Sequence, residues 1–460
     1  MDIESEQQEG GPPQRGEPRL FTSVKRRGSM VLGVAIFGVI AAIFLLLPNR
    51  TVSILPEGPA NVAEHPADEP TNTPEFTGAP EAPPPPATTT APTTQYPNVT
   101  DLPPQQPLAN PPAIVKGIYL TNWTAGSSKR LASLASLVDR TELNAMVIDI
   151  KDYSGYVAYR TGIPDVVASG AENELRILRP NALIKELHDK GIYVIGRISV
   201  FQDPILAKAH PEWAVKNKDT GKLWTDRKGL AWMDTAAEPV WDYHVALARD
   251  AFARGFDEVN FDYVRFPSDG DLSLTSFPFW DEKTAQHRVV AKFFVYLREQ
   301  LPDRKLSADL FGLTTSAGDD LGIGQKIEDA YASFDYVSPM VYPSHFAAGY
   351  GGFQRPAEHP YEVIAASMTA GLAKLTAYVR SVTGVEVATS TATSTVDWEP
   401  AAVLRVGKLR PWLQVFDLGA VYDTAKIQAQ IKAADDVLAG TEYYAGWLLW
   451  DPANNYRYYQ

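Results

Sequence analysis

From about residue 114 onward, short apolar runs alternate with longer stretches of helical spacing. The runs are KGIYLT (116–121), NAMVIDIKD (144–152), YVIGRISVF (193–201), EVNFDYVRF (258–266), KLSADLFGL (305–313), YVSPMVYP (336–343), RPWLQVFD (410–417) and AGWLLWDP (445–452). They are nearly continuous in apolar character and rich in β-branched and aromatic residues, as expected of strands covered on both faces. Helical patterns fall between them at 133–141, 181–191, 240–255 and 289–300. In the second of these, Leu183, Ile184 and Leu187 form one core-facing stripe. Gly191 and Gly255 stand where a C-capping glycine is expected. Eight strands with interposed helices predict an α/β fold, a (β/α)8 TIM barrel; an open doubly wound sheet is the alternative. No Gly-x-Gly-x-x-Gly follows the first strand and no P-loop occurs, which disfavours a dinucleotide or nucleoside-triphosphate site.

The first quarter of the chain has a different texture. Residues 1–28 are polar and read as a disordered cytoplasmic tail ending in the basic cluster Lys25, Arg26 and Arg27. Residues 29–48 are apolar and uncharged, long enough to span a bilayer. The positive-inside rule then predicts a single-pass anchor in the cell membrane, with the N-terminus cytoplasmic and the bulk of the chain extracytoplasmic. A cleaved signal peptide is the competing reading, but the run is long for one and no Ala-x-Ala site closely follows. Residues 49–112 are a Pro/Thr-rich linker, and 113–460 form the barrel domain. A low-complexity stretch at 387–400 is read as a surface loop insertion.

Charge and composition narrow the partners. The net charge of −13 argues against nucleic acid and weakens the case for a polyanionic ligand, although a local basic cleft is compatible with it. The chain has no cysteine, which removes disulfides, thiolate metal sites and cysteine nucleophiles. Its 7 histidines show no HExxH spacing and no Gly-x-Ser-x-Gly elbow occurs, so a zinc or serine hydrolase is disfavoured. No cofactor is expected; the short acidic run SDGD (268–271) is the one segment suited to calcium. The 10 tryptophans and 21 tyrosines are compatible with sugar-stacking surfaces, as with core packing.

In a barrel of this kind chemistry sits where the strands end. Strand two ends in Asp149, Lys151 and Asp152; strand three carries Arg197; strand four offers Asp262 and Arg265; strand five offers Asp309. Strand six leads to Tyr342 and His345, strand seven to Gln414, and strand eight to Trp450 and Asp451. Such a collection of acids, arginines and aromatic rings suits glycoside hydrolysis, which uses two carboxyl groups across the scissile bond. Asp262 and Asp309 are the first pair. Arg265, three residues on, would keep Asp262 ionised as the nucleophile, and the apolar neighbours of Asp309 would keep it protonated as the acid. Asp149 and Asp152 are rivals for the acid role or contacts for sugar hydroxyls, and Arg197 is a charge partner within the site. Trp232, Tyr342 and Trp450 are candidate sugar platforms, and His345 a hydroxyl or acid contact.

These segments, above all FDYVRFPSDG (261–270) with SADLFGL, SPMVYPSHF and GWLLWDP, resemble the glycosyl hydrolase domain family DUF4015, over nearly all of 114–460. The resemblance implies a TIM barrel distantly similar to α-amylase and α-galactosidase enzymes. In those relatives a catalytic aspartate ends strand four, which matches Asp262. The acid is a strand-five glutamate in the former, where this chain has Asp309, and a strand-six aspartate in the latter, where it has Tyr342 and His345. The identity of the acid thus stays open. A membrane-anchored glycosidase acting on a cell-surface or environmental polysaccharide is the first expectation; a non-catalytic carbohydrate-binding or wall-tethering barrel is the alternative.

Overall fold

The computed structural model describes residues 99–383 and 406–459. Eight parallel strands close into a barrel: β1 (Val115–Leu120), β2 (Ala145–Lys151), β3 (Tyr193–Ser199), β4 (Glu258–Asp262), β5 (Leu306–Phe311), β6 (Tyr336–Met340), β7 (Trp412–Gln414) and β8 (Gly446–Trp450). β1 pairs with β8, and Trp412 opposite Met340 joins β7 to β6, so no edge is left open. Each strand but the last is followed by a helix of the outer ring: α1 (Ser128–Asp139), α2 (Pro180–His188), α3 (Glu238–Arg254), α4 (Gln286–Gln300), α5 (Ile327–Tyr331), α6 (Pro360–Thr383) and α7 (Thr424–Leu438).

The predicted stripe on α2 is buried at Leu183, Ile184 and Leu187. Outward-facing strand residues such as Val194, Ile198, Val259 and Phe261 meet the helices in one continuous apolar layer. Burying each such side chain stabilises the fold by about 1.5–3 kcal/mol relative to exposure. A separate, smaller apolar cluster fills the barrel itself, from Val115 and Tyr119 through Ala145, Val147 and Ile195 to Leu448. The rest of the barrel interior is polar: Glu258 pairs with Arg410, both wholly buried, and Ser307 donates to the same glutamate at 2.5 Å.

Two strands are shorter than their apolar runs. The fourth ends at Asp262, because Tyr263 takes a left-handed backbone conformation (φ 53°) and turns the chain away. The seventh is divided: Lys408–Leu409 pairs with β6, Trp412–Gln414 pairs with β8, and Arg410 and Pro411 lie between. Proline has no amide hydrogen for the ladder. Gly255 is the αL cap of α3 (φ 106°), and a Cβ there would meet the Gln105 carbonyl at 2.7 Å; Gly191 lies beyond the α2 cap, which is Asp189.

The stretch 101–108, counted with the linker by its composition, packs on the barrel. Asp101 accepts from the backbone N–H groups of Asn181 (2.9 Å) and Ala182 (3.1 Å) in the first turn of α2. Gln105 donates to the Arg254 carbonyl (3.0 Å), and Leu108 to Asp257 (2.6 Å). The segment expected to be an anchor (29–48), most of the expected linker and the stretch 387–400 lie outside the described residues. Among the described residues no helix is long and apolar enough to cross a membrane.

Candidate active site

The site is built around one guanidinium. Arg197 projects from β3 into the barrel and is almost wholly buried. Its Nη1 donates to Asp149 Oδ1 at 2.6 Å, and its Nη2 pairs with Asp262 Oδ2. Its Nε lies 3.8 Å from Asp309 Oδ2. Phe261 is in register with Ala308, so the next residues along β4 and β5, Asp262 and Asp309, come side by side. Aromatic rings line the opposite flank: the guanidinium carbon lies 5.0 Å from the Trp450 ring centre and 5.6 Å from that of Tyr119. Those two rings stack at 3.8 Å.

Three carboxyls crowd one cation in a buried site, where close like charges disfavour ionisation of all three together. The three differ in their hydrogen bonds. Asp262 accepts from the Tyr263 N–H at 2.6 Å as well as from Arg197. Asp149 accepts from Arg197 and, at 2.6 Å, from the Tyr119 hydroxyl; burial pushes it up to about 6, against the pull of Arg197. Asp309 is pushed furthest, to about 8, by burial and then by Asp262. Its Oδ1 accepts from Asn260 and from Trp412 Nε1, both at 2.8 Å. Its Oδ2 is buried without a hydrogen-bond partner among the described residues. Burial and the adjacent Asp262 thus favour the protonated form of Asp309, beside the Arg197 cation.

A cleft opens at the C-terminal ends of β4, β5 and β6, lined by Tyr263, Arg265, Phe311, Met340, Tyr342 and His345, the residue after Asp262 among them. His345 is half-buried, with Nδ1 3.0 Å from Ser344 Oγ and its ring edge-on to Tyr342. Trp450 is half-buried beside Arg197. Asp152 stands at the end of β2, where Asn122 donates to it at 2.9 Å. Lys151 faces away from the barrel interior, ion-paired to Asp203 at 2.9 Å, both wholly buried.

Several expectations are corrected by these contacts. The ion-pair partner of Asp262 is Arg197, not Arg265, which instead lies in the cleft over the rings of Trp232, Tyr263 and Phe311. Trp232 is no sugar platform: it is wholly buried, its Nε1 donates to Asp226 at 3.0 Å, and Arg265 covers its ring. Gln414 is buried and occupied at both ends of its amide, accepting from Ser344 N–H (3.1 Å) and donating to the Phe416 carbonyl (2.9 Å). Asp451 caps the turn after β8 through Ala453 N–H (2.9 Å) and Asn455 N–H (2.8 Å). In the SDGD run, Asp271 caps a short 3-10 turn and Asp269 lines the cleft; among the described residues no group of three or more potential metal ligands converges.

Sequence reasoning missed Asn260, Trp412 and Tyr119, the donors that hold Asp309 and Asp149. The signal was available. Glu258, Asn260 and Asp262 alternate along β4, so once Asp262 faces inward the other two must follow.

Barrel closure, helices on the outside and a carboxylate–arginine cluster at the strand ends define the class of glycosidase-type (β/α)8 barrels. The chain belongs to the family DUF4015, "Putative glycosyl hydrolase domain", whose model matches residues 117–456. A hypothetical protein from Ruminiclostridium thermocellum ATCC 27405 is 39% identical over 45% of this chain and 98% of its own, with a TM-score of 0.39. The glycoside hydrolase domain of PgaB (BpsB) from Bordetella bronchiseptica is 13% identical, covering 74% of this chain and 94% of its own (TM-score 0.46). The α-galactosidase TtGalA from Thermus thermophilus is 12% identical, covering 76% and 60% (TM-score 0.43). No curated protein matches the chain.

Proposed function

We propose that the protein is a membrane-anchored, extracytoplasmic glycoside hydrolase that cleaves a cell-surface or environmental polysaccharide with Asp262 and Asp309. The observation that carries this reading is the opposite state of two adjacent carboxyls: Asp262 ion-paired to Arg197, and Asp309 buried and raised to about 8. In the proposed step Asp262 attacks the anomeric carbon while Asp309 gives its proton to the departing glycosidic oxygen. The two carboxyls meet the same guanidinium, which supports the short separation of roughly 5–5.5 Å used by retaining enzymes. Asp149 and Tyr119 hold Arg197 in place, and Tyr342, His345 and Trp450 offer contacts to the sugar. The anchor rests on the uncharged run at 29–48 behind its basic cluster. Fractionation and protease accessibility in intact cells would test it.

A second reading is a carbohydrate-binding barrel without catalysis. It is favoured by the full engagement of Asp262, whose two oxygens both accept hydrogen bonds within the protein. Assay of the protein on a panel of bacterial polysaccharides, beside Asp262→Asn, separates the two. Release of reducing ends by the parent and not by the variant is the expected result. Equal release by both would discard this site. Binding without release would favour the second reading.

A further inference from the structure

Arg265 is a buried cation that forms no salt bridge among the described residues, its field reaching the nearby Asp269 carboxyl. It is only 6% exposed. Its guanidinium is held from the sides by rings, with centres at 4.8 Å (Trp232), 5.2 Å (Tyr263) and 4.8 Å (Phe311). Of its nitrogens, Nη1 donates to the Phe266 carbonyl (3.2 Å) and to Ser268 Oγ (3.0 Å). Nε and Nη2 have no acceptor among the described residues. Arg265 lines the cleft, so a ligand bound there can approach these two donors.

Stacking on aromatic faces compensates part of the cost of burying the charge and orients the guanidinium plane, but satisfies no N–H. Two donors side by side on a fixed plane match the two oxygens of a carboxylate. The surrounding charges favour a single negative charge over a double one. Exposed Lys228 adds a cation at the cleft, while Asp226 and Asp269 oppose it. The Asp226 oxygens are turned to other work, accepting from Gln202 (2.8 Å), Trp232 Nε1, and the Lys228 (2.9 Å) and Leu230 (3.0 Å) N–H groups. Burial, and then Asp226, push the Asp269 carboxyl above its ordinary range, while Arg265 and Lys228 pull it down.

We infer that Arg265 forms a carboxylate-binding subsite, and that the polysaccharide recognised in this cleft carries a uronic-acid residue there. This rests on the carbohydrate reading above and names the substrate class of the same site. The chain's overall negative charge is no obstacle, because the recognising cation is enclosed among rings and is less screened than a surface charge.

The test is calorimetric binding of the full-length protein to oligomers of galacturonate, mannuronate and hyaluronan, each beside its carboxyl-reduced neutral counterpart. At least one acidic oligomer should bind roughly 10- to 100-fold more tightly than its neutral partner, the scale of charge-assisted hydrogen bonds. Arg265→Lys, which keeps a cation but loses the fork, should bring that ratio close to one. Arg265→Gln should do the same, with thermal unfolding recorded to show that it is folded. Lys228→Gln, at an exposed position, should lower the ratio by a smaller factor. Equal binding of an acidic oligomer and its neutral partner would overturn the subsite and leave the glycosidase reading standing. Equally tight binding of a sulphated neutral oligomer would overturn the carboxylate assignment. Binding of no acidic oligomer, while a neutral polysaccharide is cleaved, would also overturn it; absence of binding and of cleavage on every carbohydrate tried would overturn both.

Discussion

Arg197 Nε and Asp309 Oδ2 face each other 3.8 Å apart, both buried and neither with a hydrogen-bond partner among the described residues. The other oxygen of Asp309 already accepts from Asn260 and Trp412. A proton on this acid therefore belongs on Oδ2, the oxygen that accepts no hydrogen bond among the described residues.

Asp309→Asn should keep the two accepted hydrogen bonds and lose the transferable proton. Glycosidase turnover should fall by about 10²–10⁴, the usual contribution of a general acid. The loss should shrink on aryl glycosides with acidic leaving groups, which depart without protonation. An equal loss on good and poor leaving groups, measured as kcat, would remove Asp309 from the acid role.

The pH dependence follows from the same residue. The parent's activity should decline on an alkaline limb near pH 8, as Asp309 gives up its proton. Stability should move with it. The folded pKa lies above the ordinary value of 3.8, so between about pH 4 and 8 the folded chain holds a proton that the unfolded chain has released. The stabilisation is complete below that window and is lost as pH rises through it. Urea midpoints for Asp309→Asn should therefore vary less with pH over this range than those of the parent.

Arg197→Met would leave Asp149 and Asp262 buried without their cation. Breaking a buried pair in this way costs about 3–5 kcal/mol, which chemical denaturation would register. Arg197→Lys keeps the charge but cannot reach both carboxylates with a planar fork, so it should fall between the two.

Trp232→Ala should behave as a core deletion, losing about 3–5 kcal/mol of stability. Trp123 is the opposite case. It is 63% exposed in the short helix after β1 (Asn122–Ala125), with Arg176 stacked 4.5 Å from its ring centre. Trp123→Ala should leave the melting temperature nearly unchanged and raise KM for polymeric substrate, if that ring contacts the sugar chain. An unchanged KM would confine sugar contacts to the cleft.

Asp101→Ala removes the acceptor at the first turn of α2, at a cost of about 0.5–2 kcal/mol. A fragment begun at residue 113 should accordingly melt below one begun at residue 95, since the shorter one lacks the 101–108 contacts.

The barrel was legible because its signal is repetitive: eight apolar runs, each followed by a polar strand end. The ends of β4 and β7 were less so. Nothing in the apolar continuity of EVNFDYVRF announces that Tyr263 adopts a positive φ, and Pro411 divides a run whose composition is otherwise that of a strand. At the site, strand-end position located Asp149, Arg197, Asp262 and Asp309, because barrel geometry forces such residues together. The same criterion also selected Gln414 and Asp451, which serve nearby backbone. It could not separate these from the others, because nothing in the local sequence shows that the Gln414 amide accepts from the Ser344 N–H, 70 residues away. Arg265 was assigned to Asp262 on proximity in sequence, whereas successive side chains around a turn point in different directions.

The left-handed turn at Tyr263 bears on attempts to engineer this protein. Its amide is the one that reaches back to Asp262, and a non-glycine residue held there costs on the order of 1–3 kcal/mol. A library selected only for heat resistance would be drawn to glycine or asparagine at this position. Those variants would discard a ring that walls the cleft and packs beside Arg265. Selection for robustness alone would thus erode substrate recognition first, so position 263 is best held constant in any such screen.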